Sequence, residues 1–248
     1  MDLISQDDFI RHSRLLGPDQ LGMLGRTLIV APHQDDESLG CGGTIYLLTQ
    51  LKIPIHVVFI SDGSMSHPNS KKFPSDMLVA LREEEAVKAL SILGVEQKDI
   101  TFLRLKDSLL PCTETPGFDT AVVAFSKVLS DFNTESIICP WQRDPHKDHR
   151  ATWQIVDEAV KKCTLSIRQF EYFVWLWERA SPGDLPAANE GVIWKVNIEM
   201  AKDQKKKAVQ AHVSQTTLLI DDDPEGFILS AEVLAHFNTD YEILLERK

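Results

Sequence analysis

Four short apolar runs, residues 26–31, 55–60, 100–105 and 136–140, alternate with longer segments in which apolar residues return at helical spacing. Runs of five or six residues rich in Ile, Val and Leu have the length of buried strands and are too short for helices. The segments between them read as helices over 38–52, 76–93 and 118–132. A fourth helix follows residue 149, where Ala151, Ile155, Val156, Ala159, Val160 and Cys163 keep helical spacing. A parallel strand pair needs a crossover of this kind, whereas an antiparallel pair needs only a short turn. The alternation therefore restricts the chain to an α/β fold with a largely parallel sheet, whose ligands bind beyond the carboxyl ends of the strands. Downstream, 170–177 and 191–198 are β-rich, 199–212 and 225–237 read as helices, and 241–245 reads as a strand.

Two of the runs stop at clusters of imidazole and carboxylate groups. One is Pro32-His33-Gln34-Asp35-Asp36-Glu37, and the other, more than a hundred residues later, is Asp144-Pro145-His146-Lys147-Asp148-His149. Such donors suit a borderline divalent ion such as zinc, and catalytic zinc keeps three protein ligands and one open position. His33 and Asp36, three residues apart at a strand-to-helix junction, can converge on one ion, and His149 completes a facial set. The open position takes a water whose pKa zinc lowers to about 7, which implies hydrolysis. Asp35 adjoins a ligand but projects differently, which makes it the candidate general base. His146 in its protonated form is placed to stabilise an oxyanion and then donate a proton, and Asp148 to orient His146 or raise its pKa. Acids at a strand end also serve as helix caps, and so does a His-x-x-His at a helix start. Two such clusters at two strand ends, in a chain with 8 His, favour the metal site.

The rest of the composition narrows the class. A net charge of −11 leaves no basic face for nucleic acid, and the Lys205-Lys206-Lys207 run reads as a solvated helix face. Cys41, Cys112, Cys139 and Cys163 show neither paired spacing nor a framework, so reduced thiols are expected. Gly40, Gly42 and Gly43 do not fit a dinucleotide fingerprint and follow acids that would repel a phosphate; close packing of a helix on the sheet accounts for them better. Trp175, Trp177 and Trp194 read as core, with stacking on a sugar as the alternative. No apolar stretch approaches the ~18 residues of a membrane span, and the acidic first residues are unlike a signal peptide, so the expected location is the cytoplasm.

The residues at 31–43 and 144–152 together resemble the LmbE-like, or PIG-L, family of zinc-dependent de-N-acetylases. Ser61-Asp62-Gly63, Arg82-Glu83-Glu84-Glu85, Leu105-Lys106-Asp107 and Ala211-His212-Val213-Ser214-Gln215 match further landmarks in order, so the resemblance spans about 26–216. It implies a Rossmann-like fold, a mostly parallel sheet flanked by helices on both faces. The whole of 1–248 would be one domain with terminal extensions packed on that core. It also implies hydrolysis of an N-acetyl group from an amino sugar or sugar conjugate, releasing acetate and a free amine. Carried over by position, His33, Asp36 and His149 would bind one Zn2+, Asp35 would be the base, His146 the electrophilic or acid partner, and Arg82 a substrate contact. Arg82 paired with Glu85 on a helix surface is the alternative. Gln34 and Lys147 stand where the family usually has proline, which bears on substrate preference more than on chemistry.

Two other functions stay open at this point: a metal-dependent amidase for another N-acyl or thiol-conjugate substrate, and a metal-stabilised binding module without turnover. A positioned base at Asp35 argues against the module, because a purely structural site closes its fourth position. Self-association into a homo-oligomer is also left open by the sequence.

Overall fold

The computed structural model describes residues 6–187 and 189–248. The apolar runs form one half of an eight-stranded sheet: β1 (Arg14–Leu16), β2 (Thr27–Ala31), β3 (Ile55–Ser61), β4 (Ile100–Leu105), β5 (Ser136–Pro140), β6 (Arg168–Tyr172), β7 (Gly191–Asn197) and β8 (Tyr241–Arg247). Their order is β1-β7-β8-β6-β5-β2-β3-β4, with the apolar runs as β5-β2-β3-β4. Pairing is parallel from β6 through β4 and between β1 and β7, and β8 alone runs against its neighbours.

From β2 the chain steps outward to β3 and β4, then returns to place β5 on the other side of β2, so that Thr27 registers with Ile55 on one side and Ser136 on the other. Loops leaving the sheet at such a reversal diverge and open a crevice. Both polar clusters leave the sheet there, one after β2 and one after β5.

The five longest helices among the described residues cover the sheet: α1 (Asp36–Gln50), α2 (Ser75–Ile92), α3 (Phe118–Phe132), α4 (Lys147–Lys162) and α5 (Lys202–Ala211). A strand buried on both faces presents alternate residues to each, which is why β2 reads as an unbroken apolar run. Leu28 and Val30 pack with Phe125 of α3 and Ile155 of α4, whereas Ile29 and Ala31 pack with Ile45 of α1, Leu90 of α2 and Ala208 of α5. The expected α/β fold, with helices on both faces of a mostly parallel sheet, is the fold observed. No helix among the described residues is long and apolar enough to cross a membrane.

The glycines of α1 sit where neighbouring side chains leave no room. A Cβ on Gly43 would lie 2.7 Å from Ile198, and one on Gly40 would enter the Tyr172 ring. The helix deviates between them, at Cys41 (φ −147°, ψ 22°), and Glu242 of β8 accepts the freed N–H groups of Gly43 and Thr44 at 2.8 and 2.7 Å.

Three expectations need correction. Residues 225–237 are not one helix. Only Ala231–Ala235 is helical, because the segment before it is committed elsewhere, with Phe227 N–H donating to Ser66 O and Leu229 N–H to Gln215 O. The β-rich stretch from 170 ends at Tyr172 and gives way to a single helical turn, Leu176–Arg179. Lys205 does not face water. It is buried and pairs with Glu242 at 2.7 Å, while Lys206 and Lys207 are exposed.

Candidate active site

The loops after β2 and β5 bring the predicted residues into one crevice. Asp36 Oδ2 lies 3.1 Å from His33 Nδ1 and 3.2 Å from His149 Nε2, so a single carboxylate oxygen joins the two clusters. Donors about 2.1 Å from a tetrahedral ion stand roughly 3.4 Å apart, close to these two separations; the expected set His33, Asp36 and His149 is nevertheless not one of the groups whose donors all lie within 4.8 Å of one another. Both ring nitrogens of His149 are buried, and neither has an aligned hydrogen-bond partner among the described residues. His33, His146 and His149 offer nitrogens within 4.8 Å of one another, and His33, Asp107 and Asp148 form a second such group. These residues make a His/Asp site that could hold a metal ion.

The outward nitrogens of the two candidate ligands meet carboxylates. His33 Nε2 lies 3.3 Å from Asp148 Oδ2 and 3.4 Å from Asp107 Oδ1, and His149 Nδ1 lies 3.5 Å from Asp144 Oδ1. Carboxylates so placed fix the tautomer and orientation of ligating imidazoles. Asp107 and Asp144 had not been singled out as site residues. Their signal was positional, since Asp107 follows the carboxyl end of β4 as the clusters follow β2 and β5.

Asp148 serves both clusters: its charge works to raise the His146 pKa, as expected, although burial outweighs it. Its carboxylate turns to His33 and accepts from Ser108 N–H at 2.8 Å, and it is its backbone N–H that meets His146, donating to Nδ1 at 3.2 Å. That bond leaves the proton of a neutral His146 on Nε2. Burial, with His149 and His33 adding to it, lowers the His146 pKa to about 4, so the ring is neutral near pH 7. In its neutral form the ring can donate from Nε2.

Charge explains the remaining shifts. Burial opposes a charged Asp36, yet His149 and His33 outweigh it and hold the carboxyl well below its usual range. Burial likewise opposes charged imidazoles, but Asp107, Asp148 and Asp36 raise His33, and Asp36 and Asp144 raise His149 to about 9. So dense a set of carboxylates demands positive charge, which a divalent ion also supplies.

Asp35 is pushed up to about 6, chiefly by burial, which Arg82 partly offsets and Asp36 reinforces. Its backbone has φ 152° and ψ −29°, and its N–H donates to Glu37 Oε2 at 3.1 Å. Arg82 reaches Asp35 Oδ2 at 3.5 Å and donates to Gln34 O and Gly63 O at 2.9 and 3.1 Å. Its partner is therefore not Glu85, which accepts from Ser214 N–H and Oγ–H at 2.7 and 2.6 Å. Gln34 is buried and donates to Ser61 O, and Lys147 is exposed outside the cavity lining. The cavity itself measures about 160 Å³ and is lined by His33, Asp35, Asp36, Arg82, Asp107, His146 and Trp175 among others. Trp175 is nearly buried, as expected of a core residue, and also lines the cavity.

The sequence model of PIG-L, described as GlcNAc-PI de-N-acetylase, matches residues 28–160, more than half of the 248 residues. The chain belongs to the PIG-L family. A relative from Bacillus anthracis, a probable N-acetyl-alpha-D-glucosaminyl L-malate deacetylase 2, is 32% identical over 193 residues, which cover 76% of this chain and 80% of that one. Among solved structures, the zinc-inhibited form of a teicoplanin deacetylase superposes with a TM-score of 0.69 at 18% identity, covering 90% of this PIG-L chain and 99% of the other. The 4-carboxy-2-hydroxymuconate hydratase of Pseudomonas putida superposes with a TM-score of 0.60 at 19% identity, covering 75% and 78%. At such identities these likenesses show the fold, and the fold alone does not decide the reaction.

Proposed function

We propose that this PIG-L protein is a metal-dependent hydrolase that removes the N-acetyl group from an N-acetylglucosamine-containing conjugate. The observation that carries the reading is the convergence of His33 Nδ1 and His149 Nε2 on Asp36 Oδ2, with Asp35 and His146 bordering the same cavity. Family membership and the deacetylase named in Bacillus anthracis support the substrate class. One Zn2+ per chain is the proposed ion, since the donors are imidazole and carboxylate.

Held by His33, Asp36 and His149, the ion would supply Lewis acidity and lower the pKa of a water. Asp35 is the base that accepts the proton of the attacking water. With a pKa near 6 it is ionised at neutral pH, yet basic enough to take that proton. Arg82 lies 3.5 Å from the Asp35 carboxylate and also lines the cavity, so it positions the base and is placed to contact substrate. His146 donates a hydrogen bond from Nε2 to the oxygen that gains charge, and the proton that Asp35 took from the water passes to the amine nitrogen as the C–N bond breaks. Asp107 and Asp148 orient His33, and Asp144 orients His149. The reading puts the protein in the cytoplasm, as a single domain with a small-molecule substrate.

Acetate release from N-acetylglucosamine conjugates by zinc-loaded protein tests this directly. Asp35→Ala retains zinc by elemental analysis and loses at least about a hundredfold in kcat. His149→Ala loses zinc and activity together. Full activity in either variant overturns the assignment.

A further inference from the structure

We propose that Arg179 makes the mouth of the cavity selective for sugars bearing an anionic substituent, a carboxylate or a phosphate; this rests on the deacetylase reading above. The cavity lining combines two kinds of chemistry: the carboxylates Asp35, Asp36 and Asp107, and a cluster of Trp175, Phe227 and Arg179. The Arg179 guanidinium lies 4.2 Å from the centroid of the Trp175 ring, and Phe227 meets the same ring edge-on at 5.8 Å. Stacking holds the guanidinium plane and leaves its N–H edge free, a fork that matches carboxylate and phosphate oxygens.

Arg179 has no carboxylate partner among the described residues. Its neighbour Glu178 is engaged with His236 at 2.9 Å. Arg82, the other cation of the lining, is buried and bound to Gly63 O, Gln34 O and Asp35. Arg179 is exposed. A role in offsetting a helix dipole explains little, because Leu176–Arg179 is a single turn of four residues. The acetamide of the substrate has to reach His33 and His146, and the rest of the sugar then occupies the remainder of the cavity, which Arg179 also lines. An anionic substituent there is repelled by the carboxylates of the lining and attracted to Arg179.

The test compares three N-acetylglucosamine derivatives, the carboxymethyl glycoside, the 1-phosphate and the methyl glycoside, in the zinc-loaded wild-type protein and in Arg179→Gln and Arg179→Lys. The ratio of kcat/KM for each anionic compound to that for the methyl glycoside falls roughly tenfold in Arg179→Gln, mainly through KM, and is partly restored in Arg179→Lys. A fall for only one of the two anions identifies which is read. Equal losses on all three compounds, or an unchanged ratio, overturn the proposal. Calorimetric binding of the same compounds reads Arg179 without turnover. If no acetate is released while the anionic compounds bind more tightly than the methyl glycoside in an Arg179-dependent way, the deacetylase reading fails and the anion site stands.

Discussion

At the scale of single residues, the roles that spacing could reveal were those of side chains close in sequence. His33 and Asp36 are such a pair, and their separation at a strand end pointed to one ion. Asp107 and Asp144 act on the far nitrogens of His33 and His149, so their roles depend on which way two rings turn, which no spacing encodes. Glu37 is a similar case. Asp35 sits at φ 152°, a conformation that costs a non-glycine residue about 1–3 kcal/mol and persists only where its surroundings impose it. Glu37 does so with both oxygens: Oε2 accepts Asp35 N–H, while Oε1 accepts from Ser38 Oγ–H at 2.6 Å and faces His212 Nε2 at 3.1 Å. An amide has one acceptor oxygen and cannot serve both sides. Glu37→Gln therefore lowers kcat about 10- to 100-fold, by analogy with other groups that orient active-site residues, while bound zinc stays at the wild-type level. Loss of thermal stability with kcat intact would make Glu37 a structural residue and nothing more.

At the scale of elements, the segments read correctly are those whose partners lie within the repeating strand-helix pattern. β4, α3 and β5 occupy the expected residues, because α3 and β5 bury an apolar stripe or run against the sheet and β4 half-buries its own at the edge. β1 was not anticipated, since three residues, two of them exposed, carry no pattern. The tail from 225 is shaped by hydrogen bonds to Ser66 and Gln215 rather than by its own periodicity. Lys205 shows the same limit. Its run of lysines resembles a wet face, yet β8 places Glu242 under α5, and that buried carboxylate, already holding Gly43 and Thr44 N–H, needs a cation. Removing one partner of a buried pair strands the other charge, so Lys205→Ala destabilises the protein by about 3–5 kcal/mol, read as a lower urea midpoint. Lys206→Ala and Lys207→Ala, on exposed side chains of the same helix, stay within about 0.5 kcal/mol. A Lys205→Ala midpoint equal to theirs would remove the ion pair from any account of stability.

At the scale of the whole molecule, the sheet and its helices are joined across the sequence by a few buried polar groups, and Glu171 is one whose contribution depends on pH. It lies on β6 with no solvent exposure, accepting from Trp153 Nε1 of α4 at 2.9 Å, from Gln142 N–H at 3.1 Å and from Arg247 of β8 at 3.2 Å. Burial raises its pKa from the ordinary 4.5 to about 7, against the pull of Trp153 and Arg247. Between those two values the folded protein binds a proton that the unfolded chain has released, so folding stability contributed by this group is highest below pH 4.5 and is lost as pH rises toward 7. The shift corresponds to about 3 kcal/mol. Glu171→Gln keeps the shape and an oxygen acceptor but removes the titration, so its stability relative to the wild type improves by about 2–3 kcal/mol from pH 5 to pH 8. Urea unfolding of both proteins at a fixed excess of zinc measures that difference, with the pH dependence of metal binding common to both. Parallel stability curves would mean that Glu171 is ionised throughout, and that Arg247, rather than a proton, compensates its burial.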